Sequence, residues 1–384
     1  MKTSTVLVVA SLTLTGVASG LAIVRQNVNV SGDSSHEDRH AGPDSARVEK
    51  FLAALHSTDP MICEMVTDQL GNFWSYGDEG VGQFSDGSRS WEPVRDSLAS
   101  AVTDAVARRR LVRALGDDDA CVRRASAKML SRSMPQASGE LREAIRSSSA
   151  RVREAAAYAL GRADQPEFQG DIERATRDND PGVAAMATWA LGELELPETV
   201  GRLTELTRSS EPRIRRAAAW GLGQVEDPRG VAPLIPLLRD SDVGTRIMAA
   251  DALGELESLQ SAGPLAAALK DADVRVRRAA ADALGQLDDL ATAPQELIDA
   301  LGAGDLRLRR AAAEALGHIG DARAVAALGR VMADGDLETR RAVIEALAEI
   351  EDDATVPYLL RAVKDADPEI RRTAVEALGD RKER

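Results

Sequence analysis

The sequence predicts an all-α solenoid of about ten two-helix repeats with a period of ~31 residues. Three observations predict it: the composition, the spacing of apolar residues and an internal repeat. Aromatic residues make up only 3% of the 384 residues, whereas hydrophobic residues reach 44%. This combination requires much Ala and Leu, which are strong helix formers.

The internal repeat carries most of this prediction. The pattern Val-Arg-Arg-Ala-Ala-Ala-x-Ala-Leu-Gly recurs nine times at intervals of 30–32 residues, and a tenth, degenerate copy lies at residues 62–71. A fixed period of this length indicates stacked supersecondary units that share one core. The last position of each copy falls at Ser131, Gly161, Gly192, Gly223, Gly254, Gly285, Gly317, Ala348 and Gly379.

Each period divides into two helices. Residues 231–239 are expected to form a first helix, and Asp240-Ser241-Asp242 forms a turn that caps the second helix. The second helix runs to Leu253, with Gly254 close to its end, and its apolar residues form a broad helical stripe. Since Ala fills most of this stripe, we expect neighbouring second helices to pack closely.

Runs such as residues 270–285, Lys-Asp-Ala-Asp-Val-Arg-Val-Arg-Arg-Ala-Ala-Ala-Asp-Ala-Leu-Gly, resemble the HEAT-repeat family, in particular the short bacterial repeats of the phycobilisome-lyase type. The resemblance covers about residues 46–384 and implies an α-solenoid. It also implies a ladder in which a turn carboxylate bonds to an arginine six residues later. The matching pairs are Asp117–Arg123, Asp240–Arg246, Asp271–Arg277, Asp334–Arg340 and Asp365–Arg371.

The N-terminal residues are typical of an exported protein. Residues 1–20 fit a cleaved signal peptide, although the apolar stretch up to Val24 also fits an uncleaved membrane anchor. Residues 21–45 are expected to form a flexible linker, 46–92 a divergent first repeat with an insertion at 72–92, and 93–384 a nine-repeat solenoid. The expected location is periplasmic or secreted, with membrane contact only if the N-terminal segment stays uncleaved.

The charge balance argues against nucleic acid as a partner. The net charge is −14, from 62 acidic and 48 basic residues. Proteins that bind phosphate backbones usually present a basic face.

Motifs for catalysis are almost absent from the sequence. His36-Glu37-Asp38-Arg39-His40 matches a zinc-protease pattern, but its Gly-, Ser- and Pro-containing flanks are typical of a linker rather than of a helix. We therefore predict no metal site, no cofactor and no catalytic residue. An enzyme or enzyme subunit of the HEAT-like lyase or hydroxylase type remains the alternative that the resemblance implies.

One variable column of residues is the main candidate binding surface. It lies three residues before the end of each repeat, on second helices that we expect to line the concave face of the solenoid. Exposed aromatics could anchor a partner and carboxylates could select a basic segment, although the carboxylates could also be mere surface partners of arginines four residues earlier. The predicted site residues are Tyr158, Trp189, Trp220, Asp251, Asp282, Glu314, Glu345 and Glu376.

Two further features have open interpretations. The insertion at residues 72–92 could cap the solenoid or form a second binding surface, since it carries Phe73, Trp74, Tyr76, Phe84 and Trp91. Cys63 and Cys121 are the only two cysteines, and we predict a disulfide between them in the exported protein. Together these features predict a non-catalytic scaffold of the cell envelope that binds a protein or peptide.

Overall fold

The computed structural model describes residues 43–56, 101–287 and 289–380, apart from the side chain of Asp334. All of them belong to one compact unit, Gly42–Arg384. Within these residues every regular element is a helix, and nine helical pairs follow a first helix, α1 (Ser45–Leu55). The predicted all-α solenoid is confirmed.

The first helix of each pair is short. These helices are α2 (Ala105–Ala114), α4 (Ser138–Ala144), α6 (Gln169–Ala175), α8 (Val200–Leu206), α10 (Val231–Leu234), α12 (Ala262–Ala268), α14 (Gln295–Ala300), α16 (Val325–Asp334) and α18 (Val356–Ala362). A single 3₁₀ turn precedes most of them, as in Pro197–Thr199.

The second helices are longer and carry the repeated pattern. They are α3 (Ala120–Ser131), α5 (Ala150–Arg162), α7 (Pro181–Glu193), α9 (Pro212–Gln224), α11 (Val243–Glu255), α13 (Val274–Gln286), α15 (Leu306–Ile319), α17 (Leu337–Glu349) and α19 (Pro368–Asp380). None of the helices in the described part of the chain is both long and apolar enough to cross a membrane.

Aspartates at the turn between the two helices start seven of the nine second helices, whereas Ser149 precedes α5 and Glu211 precedes α9. The Asp180 carboxylate accepts hydrogen bonds from the backbone N–H groups of Gly182 and Val183, at 2.9 and 3.1 Å. Two residues earlier, Asp178 accepts one from the N–H of Asp180 at 2.9 Å. These bonds satisfy donors that a helix leaves unpaired at its N-terminus, and they confirm the predicted capping role of the turn.

Neighbouring second helices pack through small residues. A Cβ atom placed on Gly192 would lie 2.5 Å from the Cα of Gly221 on the next second helix, and one on Gly161 would lie 2.8 Å from the Cα of Ala190. The repeat glycines therefore lie inside the helices and permit close helix contact. Because glycine has no side chain, neighbouring second helices pack closely. One continuous core extends from Val48 to Ala377.

The arginine ladder differs from the predicted one. Arg246 donates to the backbone carbonyl of Asp240, at 2.8 Å, rather than to its carboxylate. The Asp240 carboxylate instead binds Arg215 of the preceding repeat with two bonds of 2.7 and 2.6 Å. The same inter-repeat spacing of 25 residues recurs in Arg153–Asp178, Arg246–Asp271 and Arg340–Asp365. The ladder thus joins successive repeats, whereas the predicted pairing lay within one repeat.

Candidate binding face on the second helices

The variable column lies on one face of the array, which we call the second-helix face. Its aromatic members touch one another in sequence: the rings of Tyr158 and Trp189 are 5.4 Å apart and those of Trp189 and Trp220 are 5.9 Å apart. Its acidic members influence one another electrostatically from Asp251 through Glu345. The structure therefore brings the three aromatic members together and, separately, places the acidic members from Asp251 to Glu345 within electrostatic reach of one another.

The aromatic members are buried, so the prediction that they are exposed anchors is wrong. Tyr158, Trp189 and Trp220 are only 6%, 6% and 9% exposed. Their rings lie nearly parallel, at 14° and 23°, in an arrangement that we call the aromatic stack. Each tryptophan ring lies over the glycine that ends the preceding repeat, Gly161 or Gly192, because no side chain there holds it away. Burial raises the pKa of the Tyr158 hydroxyl to about 12.

The acidic members are more exposed than the aromatic ones. Asp251 is half-buried and the other four are exposed. These five residues, which we call the acidic row, are Asp251, Asp282, Glu314, Glu345 and Glu376.

No carboxylate of the acidic row forms a salt bridge with a described residue. The arginines expected to pair with them four residues earlier bind elsewhere: Arg310 lies 3.4 Å from Asp336, Arg341 lies 3.0 Å from Asp367, and Arg372 binds Glu369. Arg278 still lowers the pKa of Asp251 and Asp282 through space, and Arg310 that of Glu314, so the alternative interpretation of the row as surface charges near arginines stays open.

Three carboxylates of the row, those of Asp251, Asp282 and Glu314, have pKa values above their ordinary ones. Burial, followed by the charges of Asp282 and Glu255, raises the pKa of Asp251 to about 7, and only Arg278 opposes this. Burial and the neighbouring carboxylates also raise the pKa of Glu314, although more of that side chain is exposed. A cation bound along the row would relieve both effects.

An acidic depression lies at the C-terminal end of the row. Its volume is about 540 Å³, and it lies between α17 and α19. The acidic side chains that line it are Glu349, Glu351, Asp352, Asp353, Glu376 and Asp380, and among the described residues no basic one lines it.

A small cavity lies at the other end of the face, beside the aromatic stack. It measures about 70 Å³. Its lining residues are Glu154 on α5, Gly182, Ala185, Met186 and Trp189 on α7, and Arg213, Arg216 and Ala217 on α9. The Trp189 indole borders it, and the Nε1 atom of that indole is buried without a hydrogen-bond partner. We call it the Trp189 cavity. The sequence indicates an unusual site here, because Ala185 occupies a position where six of the nine repeats have arginine.

Several predicted features lie outside the described residues. These are the signal peptide, the linker, the His36–His40 pattern, Cys63 and the insertion with Phe73, Trp74, Tyr76, Phe84 and Trp91. Among the described residues, no three His, Cys, Asp or Glu side chains are placed to hold a metal ion.

The pairing of Cys121 with Cys63 stays a prediction, because Cys63 lies outside the described residues. Cys121 is 7% exposed and is disulfide-bonded in the structure. Cys63 is the only other cysteine of the chain. Alkylation of the denatured, exported protein tests the pairing, and labelling of two free thiols would contradict it.

Comparison with solved structures supports the helical-repeat architecture. The X-ray structure of YibA of E. coli is 20% identical with a TM-score of 0.51, over 64% of this chain and 92% of that one. A chain from a structure of Kap95p with RanGDP is 13% identical with a TM-score of 0.51, over 86% of this chain and 50% of that one. The CpcE–CpcF complex of phycocyanin lyase from Nostoc sp. PCC7120 is 23% identical over 57% of this chain and 91% of that one, with a TM-score of 0.38. At these identities the likeness concerns the fold alone.

The family assignment follows from the sequence model for HEAT repeats. None of the curated proteins compared with the chain matches it. The HEAT-repeat model matches residues 169–244, 231–304, 264–337 and 330–384, which together span more than half of the chain. The chain belongs to the HEAT-repeat family.

Proposed function

We propose that this HEAT-repeat protein is a non-catalytic scaffold that binds an extended, basic segment of a protein partner along the second-helix face. The observation that carries the proposal is the acidic row, five carboxylates without a salt bridge to any described residue, at one per repeat. Arg278 and Arg310 act on the row through space, but none of its carboxylates has a salt-bridge partner in the described part of the chain, so each can still accept a cationic group. Complementary charge would speed association and select the partner.

The spacing of the row suits an extended chain. Packed helices lie about 8–10 Å apart. An extended peptide of the polyproline II type advances about 3.1 Å per residue with three residues per turn, so every third side chain points the same way. One carboxylate per repeat therefore matches a basic residue at every third position of the partner. The acidic depression between α17 and α19 would receive the basic end of that segment.

The aromatic stack has a different role in this proposal from the one its sequence suggested. Because its rings are buried against one another, it supplies a rigid floor rather than projecting anchors. Trp189 and Trp220 then hold α5, α7 and α9 in fixed register next to the row. The proposed face therefore still includes Tyr158, Trp189 and Trp220, as its packed support and not as anchors for the partner.

The location is a separate part of the proposal. The apolar stretch after Lys2 supports export, and a periplasmic or secreted partner follows from it. The N-terminal residue of the protein isolated from cells tests cleavage of the predicted signal peptide. A start after residue 20 supports cleavage, and an intact Met1 contradicts cleavage.

The binding test uses a fluorescent peptide of about 15 residues with Lys at every third position and Gly or Ser between. We expect it to bind the wild type, with an affinity that falls as salt rises. The Glu314→Lys, Glu345→Lys double variant is expected to bind about tenfold more weakly or worse, mainly through slower association.

A matched control carries the same charge change elsewhere. Glu167 and Glu198 are exposed and precede first helices, so the Glu167→Lys, Glu198→Lys variant is expected to bind like the wild type. Failure of the wild type to bind the peptide, or equal losses in both double variants, would overturn the proposed function.

A further inference from the structure

The Trp189 indole carries a buried hydrogen-bond donor that no described residue satisfies. Trp189 is only 6% exposed, and its Nε1 atom has no hydrogen-bond partner in the described part of the chain. An indole N–H group donates and cannot accept. Buried donors in folded proteins almost always meet an acceptor, which comes from the protein, from water or from a ligand. The indole therefore points to an acceptor that the described residues do not supply.

The N–H edge of this indole faces the Trp189 cavity. A Cβ atom on Gly161, at the end of α5, would lie 3.1 Å from the Cζ3 atom of the six-membered ring. Nε1 lies on the opposite edge of the indole, which is turned toward the start of α7. The cavity is on that side, because the other residues of α7 that line it come earlier on the same face of the helix. They are Gly182, Ala185 and Met186.

The space is open because Ala185 is short. In the next repeat the same position is held by Arg216, whose Cδ atom would lie 2.9 Å from a Cβ atom on Gly244 of α11. Alanine does not reach across in this way, and a cavity of about 70 Å³ is found beside it. Sites for whole small molecules usually measure about 300–1,000 Å³. The cavity thus has room for one functional group or a few water molecules.

Donors and positive charge predominate in the lining. The exposed Arg213 lines the cavity and forms no salt bridge with a described residue, and Arg216, which lies 3.5 Å from Asp242, also lines it. Among the described residues, Glu154 is the one acidic side chain of the lining. Two guanidinium groups and an indole N–H against one carboxyl favour an occupant that accepts hydrogen bonds and carries negative charge.

The carboxyl of Glu154 is itself displaced toward its neutral form. Burial, and then the charge of Asp180, raises the pKa of Glu154 above its ordinary value, although Arg123 and Arg213 oppose the shift. The protonated carboxyl does not repel an anion and adds an O–H donor to the lining.

We propose that the Trp189 cavity binds one carboxylate group of the protein partner, which accepts hydrogen bonds from the Trp189 indole and the Arg213 guanidinium. A carboxylate has two acceptor oxygens and can meet both donors at once. This inference deepens the proposed function and rests on it for the identity of the partner. An acidic group that binds near α7 would fix the register of an otherwise basic segment along the second-helix face.

The test uses two carboxylate probes and the full chain with ¹⁵N-labelled tryptophan, at constant ionic strength. N-acetyl-glutamate α-amide represents an acidic side chain of the partner, and N-acetyl-alanine represents its C-terminus. The chain has four tryptophans, so four indole N–H resonances are expected, and the one lost in Trp189→Phe belongs to Trp189.

We expect at least one probe to shift the Trp189 resonance saturably, and the tighter of the two identifies the source of the carboxylate. N-acetyl-glutamine amide, a neutral analogue of nearly the same shape, is expected to bind about tenfold more weakly or not at all.

A matched pair of arginine variants separates the cavity from the general charge. Arg213→Gln should weaken the binding of the carboxylate probe about tenfold. Arg307→Gln makes the same change at the same position of another repeat, where the side chain is also exposed and forms no salt bridge with a described residue. It should leave the affinity for the probe unchanged.

Two further variants change the cavity itself. Glu154→Gln keeps the shape of the side chain and removes its negative charge, so the probe should bind at least about threefold more tightly. Ala185→Leu places a larger apolar side chain in the space and should abolish the shift. The other three indole resonances report whether each variant is folded.

The outcomes distinguish this inference from the proposed function. The absence of a saturable shift with both carboxylate probes, an equal response to the glutamine analogue, or equal losses in Arg213→Gln and Arg307→Gln would each overturn the carboxylate site. The lysine-peptide test of the acidic row does not depend on these results. Failure of that test alone would overturn the proposed scaffold role, while a saturable and selective shift would still support the cavity as a carboxylate site.

Discussion

At the scale of single residues, Trp189 shows how a bulky side chain behaves on a surface of small ones. Its ring lies between those of Tyr158 and Trp220 and over Gly161, so both faces and one edge are in contact with protein. Stacked aromatic pairs contribute about 0.5–1.5 kcal/mol each beyond the area they bury. The tryptophan therefore belongs to the packing between α5, α7 and α9.

Truncating this residue is expected to destabilise the fold. Trp189→Ala should lower the free energy of unfolding by about 3–5 kcal/mol, because it removes a buried ring and two stacking contacts. Trp189→Phe keeps a ring in the same place and should cost less than half as much. Urea unfolding followed by circular dichroism measures both, and a loss below about 0.5 kcal/mol for Trp189→Ala would show that the ring carries none of the packing.

The sequence predicted correctly that Trp189 lies on the second-helix face. It did not predict that the side chain is buried there. Helical spacing determines which side of a helix a residue is on. It does not determine whether a large ring stands away from that side or lies down across the neighbouring helix. That depends on the neighbour, and here Gly161 of the preceding repeat leaves room for the ring.

At the scale of helices, the close approach of α7 and α9 depends on a pair of glycines. Gly192 and Gly221 face each other at a distance that excludes a side chain on Gly192. The repeat period, the capping aspartates and the apolar stripe were all predictable from local sequence. The arginine ladder was not, because Arg215 pairs with Asp240, 25 residues away, and only the stacking of repeats brings them together.

A methyl group at Gly192 is expected to separate the two helices. Gly192→Ala should lower the free energy of unfolding by about 1–3 kcal/mol, the usual cost of overpacking a core. Gly201→Ala is the matched control, since a Cβ atom there meets no other atom within 4 Å. It should leave stability unchanged or raise it by up to about 1 kcal/mol, because alanine is the better helix former.

Thermal unfolding of the two glycine variants measures this difference. Equal stability of Gly192→Ala and Gly201→Ala would mean that the helices can move apart without cost. In an array where each repeat contacts only its neighbours, we expect the loss to be largest around α7 and α9. Hydrogen exchange resolved by segment would show it there first.

At the scale of the whole molecule, two sets of carboxylates respond to pH in opposite directions. The hydrogen bond from Arg153 holds the pKa of Asp178 below its ordinary value of 3.8, and the bond from Arg341 does the same for Asp367. These groups stabilise the folded chain above pH 3.8, and that stability is lost as the pH falls through their lower folded values. The inter-repeat salt bridges therefore favour higher pH.

The acidic row favours lower pH. Burial and like charges raise the pKa of Asp251 from 3.8 to about 7. Between these values the folded chain keeps a proton that the unfolded chain has lost, so stability falls as the pH rises from about 4 to about 7. For Asp251 the loss is at most about 4 kcal/mol, and burial raises the pKa of Asp282 in the same direction.

The two effects together predict a stability maximum at about pH 4–5, with losses on both sides. Asp251→Asn is expected to remove much of the loss between pH 5 and 8 and to leave the acid side unchanged, because the inter-repeat salt bridges stay intact. Glu376→Gln is the control, since it changes an exposed carboxylate at the same position of the last repeat. Thermal unfolding midpoints from pH 3 to 8 measure all three proteins. A wild-type midpoint that stays level or rises between pH 5 and 8 would show that the acidic row does not strain the folded chain, and it would remove the electrostatic reason for a basic partner to bind there.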